Sequence, residues 1–154
     1  GIIFISSQII KERIKSIGDI NLNLNRITLM KESLSIIEDF PVLGCGLNTY
    51  SVVARNYKIM EGGGIYPHNS FLQMAAETGI IGIASFIWIL VELFRLGLST
   101  FNKKKDLFLL GILAGILGFL VQSFFDTNLY ALQLAVLFWF MVGLAIAKIK
   151  IGIS

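Results

Sequence analysis

Charge is what this chain has least of. Only 15% of its 154 residues are Asp, Glu, Lys or Arg, and 55% are hydrophobic; a soluble domain carries about a quarter charged residues. With a mean hydropathy of +0.77, the composition points to a membrane protein. Cysteine is nearly missing. A single Cys45 excludes an internal disulfide and a Cys-rich metal site. Histidine is equally scarce, and one residue, His68, excludes a His-rich zinc centre. No P-loop, no GxGxxG and no Ser-His-Asp spacing occurs. No Asp-x-Asp motif supports magnesium or calcium, so neither metal nor cofactor is expected. The net charge of +3 is small, and no nucleic-acid partner is expected.

What is present is apolar and segmented. Residues 79–98, 107–125 and 129–147 each read as a transmembrane helix of about 20 residues, enough for about 30 Å of hydrocarbon. Residues 1–10, "GIIFISSQII", read as the end of another, with no charged stretch ahead of them as a signal peptide has. The chain then reads as the C-terminal part of a longer protein, or as a truncated product. Lys103, Lys104 and Lys105 follow the 79–98 segment, and Lys148 and Lys150 follow the last. Lysine clusters stay cytoplasmic, so residues 11–78 fall outside. The expected fold is all-α, a polytopic membrane bundle with a helical extracytoplasmic loop.

That loop has its own pattern. Ile27, Met30, Leu34 and Ile37 recur at helical spacing, with Lys31, Glu32, Ser35 and Glu38 elsewhere on the wheel, and Pro41 closes the run. Gly44 and Gly46 permit a tight turn. "EGGGIYP" (61–67) reads as a flexible connection. Ser70 and Gln73 match a capping box, so a helix should start at Ser70 and bend near Gly79.

His68 would sit just outside that helix start, where the helix dipole favours a neutral ring able to accept a proton; the plain alternative is a loop histidine that caps or packs. Arg26, read as opening the first amphipathic helix, has the wrong charge for that end, and its planar fork suits phosphate; Arg55 shares the chemistry. Either can equally be a solvated surface charge. Glu92 and Arg95, three apart, read as a structural pair, and Asp126 as a turn residue. Trp88 and Trp139 read as packing or lipid-facing.

Taken in order, "NRITLMKESLSIIEDFPVLGCGLNTY" (25–50) and "HNSFLQMAAETGIIG" (68–82) resemble the O-antigen ligase and polymerase superfamily of bacterial membrane glycosyltransferases. The likeness covers roughly Asn25 to Gly82; the remaining helices match in number and hydropathy. It implies transfer of a glycan from an undecaprenyl-pyrophosphate carrier to a glycan or lipid acceptor, at the outer face of the bacterial inner membrane, without metal. His68 matches the family's loop histidine, which acts on the acceptor, and Arg26 the helix-opening arginine, which holds pyrophosphate. Where the family often has an aromatic residue shortly after that arginine, this chain has Met30. Arg55 is assigned a second phosphate contact by its chemistry alone, and Asn69 a supporting role, orienting the histidine or a sugar hydroxyl. Ligase and polymerase stay open, as do a transporter or exporter of the same sequence family and an inactive fragment.

Overall fold

The computed structural model describes residues 20–57 and 66–153. The expected helix end at 1–10, the cations Lys11, Arg13, Lys15 and Lys58, and most of the 61–67 connection lie outside them. Among the described residues all regular structure is helical. Helix α1 spans Ile20–Asp39; α2 (Tyr50–Val53) runs into a 3-10 turn, Ala54–Tyr57; α3 spans Ser70–Lys104; α4 spans Leu107–Ser123; a 3-10 turn, Asn128–Tyr130, leads into α5, Leu132–Ile153.

Helices α3, α4 and α5 pack as an antiparallel bundle. Leu109, Leu113, Ile116 and Leu120 of α4 face Phe138, Val142, Ala145 and Ile149 of α5, with Phe86 and Leu93 of α3 closing the core. Each set of four follows an i, i+4, i+7, i+11 stripe, one narrow helix face. Gly97 lets α3 approach α4, since a Cβ there would lie 2.8 Å from Leu113. The outward faces are apolar too: Trp88 is 72% exposed, Leu107 75% and Leu132 75%. Two helices, Ser70–Lys104 and Leu132–Gly152, are long and apolar enough to cross a membrane by length and composition; Leu107–Ser123 is shorter.

The two ends of the bundle differ. At one, Lys148 Nζ pairs with Asp106 Oδ2 at 2.7 Å, which brings the Lys103–Lys105 segment and the end of α5 together. Asp106 also caps α4, accepting from the amides of Phe108 (3.0 Å) and Leu109 (3.1 Å). The Lys148 ammonium, with those amides, holds its carboxyl below the usual carboxylate range. On the side of α3, Arg95 grips Glu92 through Nε (3.0 Å) and Nη2 (2.6 Å), the structural pair expected from their spacing.

Helix α1 corrects two expectations. It is already helical at Ile20, so Arg26 lies in its second turn and does not open it; the argument from an unfavourable dipole therefore falls away. Its buried stripe is Leu29, Glu32, Ser33 and Ile36, whereas Ile27 and Leu34 are about half exposed. The face is rotated because its partner is polar at one point: Ser33 Oγ and the Tyr50 hydroxyl share a 2.6 Å hydrogen bond, with Ile36 packed beside Tyr50, Ala54 and Ala76.

Candidate functional site

The site is built around a break in α3. Gly79 has φ +63° and ψ −166°, outside helical geometry and in a region that only glycine enters readily. A break of this kind strands backbone groups on either side. Here the turn that follows α1 takes them up. Cys45 and Gly46 donate their amides to the carbonyls of Ala76 (2.8 Å) and Glu77 (3.0 Å), and Ile80 donates to the carbonyl of Pro41 (2.9 Å). The approach is so close that a Cβ on Gly44 (φ +71°) would fall 2.2 Å from the Glu77 carbonyl carbon, and one on Gly79 2.2 Å from the Val42 carbonyl oxygen.

Glu77 anchors the same junction from its side chain. It is 1% exposed and accepts from the amides of Asn48 (3.0 Å) and Tyr50 (3.2 Å) and from Gln73 Nε2 (3.4 Å). The Tyr130 hydroxyl bonds to it as well. Burial, then the Glu77 charge, pushes the Tyr130 phenol far above its ordinary range, and burial pushes Tyr50 up to about 12. Both rings therefore stay protonated donors at neutral pH.

His68 lies nine residues ahead of Glu77, just before the start of α3. Its backbone is left-handed, φ +48°, an uncommon state for a residue with a Cβ. Asn69 follows in extended conformation and caps α3, accepting at Oδ1 from the amides of Phe71 (2.9 Å) and Leu72 (3.0 Å). The cap is thus Asn69, one residue ahead of the Ser70 expected from the capping-box spacing. Ser70 is occupied differently: its amide (3.1 Å) and its hydroxyl (2.9 Å) both donate to the Asp126 carbonyl, and its Oγ accepts from the Leu129 amide (3.3 Å). Gln73 turns to Glu77, not back to the cap.

This clamp brings Asp126 to the histidine. Asp126 Oδ1 stands 3.8 Å from His68 Nδ1, with both side chains about half exposed. The separation exceeds a hydrogen bond, and the same Oδ1 accepts from the Thr127 amide at 2.7 Å. With Nδ1 on the side of the carboxylate, Nε2 is the nitrogen left to meet a hydroxyl. A pocket of about 260 Å³, lined by Asn48, Tyr66, Gln73, Thr127, Tyr130 and Ala131, includes residues flanking the pair in sequence, Tyr66 and Thr127.

Of the residues singled out in the sequence, His68 and Asn69 are adjacent and Asn69 is buried, its carbonyl oxygen committed to the cap. Arg26 is exposed on α1 and Arg55 exposed on the 3-10 turn. Tyr57 of that turn donates to Asp39 Oδ2 (2.5 Å), at the far end of α1, thirteen residues and about 20 Å of helix from Arg26. Neither arginine has an ion-pair partner among the described residues. No group of three or more His, Cys, Asp or Glu able to hold a metal occurs among the described residues. In the sequence Asp126 reads as a turn residue and Gln73 as part of a capping box, and Glu77 and Tyr130 carry no assigned role. The spacing of Asn69, Gln73 and Glu77, each four apart on one face of α3, was the available signal.

An imidazole with a carboxylate nearby and a pocket lined by uncharged residues in the same region is suited to handling a hydroxyl proton, and so to group transfer. The chain belongs to the O-antigen ligase family, glycosyltransferase-type enzymes: the family model described as O-antigen ligase matches residues 2–87, just over half of the chain. The matched stretch contains α1, the glycine turn, His68 and the break at Gly79; Asp126, Thr127 and Tyr130 lie beyond it. No curated protein and no solved structure matches the chain.

Proposed function

We propose that this protein transfers a glycan from an undecaprenyl-pyrophosphate carrier to a hydroxyl of a glycan or lipid acceptor, as a ligase or polymerase of surface polysaccharide, on the outer side of the bacterial inner membrane. The observation that carries the reading is His68, held by Asn69 and Ser70 beside Asp126, within the stretch matched to the O-antigen ligase family. The apolar outer faces of α3, α4 and α5 support a lipid surround. The lysines gathered at the Asp106 end, opposite His68, support an outward-facing site.

In this mechanism the acceptor hydroxyl oxygen bonds to the anomeric carbon of the donor sugar as the bond from that carbon to the pyrophosphate oxygen breaks. The hydroxyl proton passes to His68, and the bonding pair leaves on the pyrophosphate. Asp126 steadies the imidazolium that forms, and Asn69 orients the ring through the backbone it caps. Arg26 neutralises the departing pyrophosphate, a group that guanidinium suits; Arg55, on the turn tied to the far end of α1 through Tyr57 and Asp39, is too distant to share that one group and meets another part of the carrier. The carrier arrives already activated, so positioning and proton removal are the remaining tasks.

A transporter of the same family would use a broken helix to aim free half-helix ends at a solute. The break at Gly79 does not offer them, because the glycine turn takes up the Ala76 and Glu77 carbonyls and the Ile80 amide. The test is glycan profiling of a strain lacking the gene, complemented with the wild-type or the His68→Ala gene. Loss of polymer, with single repeat units remaining, identifies a polymerase; full-length polymer retained on its carrier identifies a ligase. A deletion strain with unchanged glycans, and no second copy of the gene, sinks the transferase reading.

A further inference from the structure

The pocket beside His68 holds a side chain with unfinished hydrogen bonding. Gln73 is 2% exposed, and its Oε1 is buried without a hydrogen-bond partner among the described residues. Its orientation is fixed from the other end. Nε2 donates to Glu77 Oε1 at 3.4 Å, which turns the amide nitrogen toward Glu77 and the carbonyl away from it. A buried carbonyl left without a donor costs about 1–3 kcal/mol; most such groups in folded proteins are satisfied. Gln73 lines the pocket together with Tyr66, Thr127, Tyr130 and Asn48.

The chemistry of those walls narrows what enters. They carry amides, a hydroxyl and phenols, and no cation, which disfavours phosphate. The acid nearest the pocket, Glu77, touches Gln73 and offers an anion no attraction. What Gln73 lacks is a donor, and a neutral hydroxyl is one. Tyr66 is 45% exposed and stacked on Tyr50 with ring centres 6.3 Å apart and planes at 18°, so it presents a braced flat face with a polar tip. The volume of about 260 Å³ falls below the range of roughly 300–1,000 Å³ common for drug-sized ligands, which suits one sugar ring.

We infer that this pocket is a neutral-sugar subsite, in which the Gln73 carbonyl accepts a hydrogen bond from a ring hydroxyl while Tyr66 and Thr127 hold the ring beside His68. The inference rests on the transferase reading for its place in a reaction, but binding tests it separately. The probe is the strain's own repeat-unit oligosaccharide, released from its carrier, titrated against the purified full chain and followed by saturation-transfer NMR. Gln73→Leu should weaken binding about threefold to tenfold, the loss of one neutral hydrogen bond. Thr127→Val, nearly isosteric and keeping the backbone bond from Tyr130 to the Thr127 carbonyl, should weaken it comparably even if Gln73→Leu disturbs folding. Tyr66→Phe should bind within about twofold of wild type and Tyr66→Leu much more weakly, since the ring face is what the sugar meets. Wild type that does not bind the oligosaccharide, or Gln73→Leu and Thr127→Val that bind as wild type does, overturns the subsite. Unchanged glycans in the deletion strain with binding lost in these variants would instead remove the transferase reading and keep the subsite.

Discussion

Replacing Gly79 with alanine asks how much the structure depends on the junction between α3 and the glycine turn. The cost has separable parts. The backbone at φ +63°, ψ −166° holds a side chain only at about 1–3 kcal/mol. The new Cβ would lie 2.2 Å from the Val42 carbonyl oxygen and 2.7 Å from the Gly44 amide nitrogen. Both are backbone atoms that no rotamer change can move, and overpacking of this kind adds about 1–3 kcal/mol. If the turn withdraws to relieve the clash, the hydrogen bonds from Cys45, Gly46 and Ile80 are lost with it. A destabilisation of about 3 kcal/mol or more follows, which for a chain of this size lowers Tm by roughly 6–12 °C. The assay is thermal unfolding of the full chain in detergent, followed by Trp fluorescence. Gly111→Ala is the control, since a Cβ at Gly111 meets no atom within 4 Å and alanine is the better helix former by up to about 1 kcal/mol. A Gly79→Ala protein that unfolds with wild type, or a Gly111→Ala protein that loses as much, would refute the reasoning.

Three further outcomes are expected. His68→Gly should be at least as stable as wild type, because the φ of +48° costs a non-glycine residue about 1–2 kcal/mol, while glycan transfer is abolished; thermal unfolding paired with glycan profiling reads both. Glu77→Gln should destabilise by about 2 kcal/mol, since its amide end must meet a buried backbone N–H that the carboxylate now accepts from; denaturation of the two proteins side by side checks it. Asp106 has its carboxyl pKa lowered by Lys148 and by the capping amides, so its contribution is present above the ordinary carboxylate pKa of about 4 and disappears as pH falls through the lower folded value. Asp106→Asn, which still caps α4, should lower Tm at neutral pH and flatten the acid side of the Tm–pH curve; equal curves for the two proteins would remove the ion pair from the account.

How much of this was legible in the sequence depended on the kind of force involved. The apolar helices were readable because long hydrophobic runs admit few alternatives, and the bend at Gly79 because a glycine interrupts one. The seam of α4 and α5 was not: residues facing lipid are as apolar as those facing a neighbour, so Leu109 and Leu107 look alike in sequence though one is buried and the other 75% exposed. On α1 the hydrophobic pattern pointed to Ile27 and Leu34, but a tertiary hydrogen bond from Ser33 to Tyr50 decided the buried face. Asn69 displaced Ser70 as the cap because Ser70 had partners nearly sixty residues away. The same long-range contact placed Asp126 beside His68, a neighbour that no local spacing encodes. His68 itself was legible through scarcity, a lone imidazole at the head of an apolar helix.

A glycine that interrupts a long helix is ordinarily a hinge. At Gly79 the opposite holds, because the severed ladder has been spliced with backbone from the turn after α1. Bending there would tear hydrogen bonds on both flanks and open the Glu77 junction at once. Helix α1, the glycine turn and the head of α3 therefore travel as one stiff piece. Any opening of this region must pivot elsewhere, and would carry Arg26 and His68 together in fixed register.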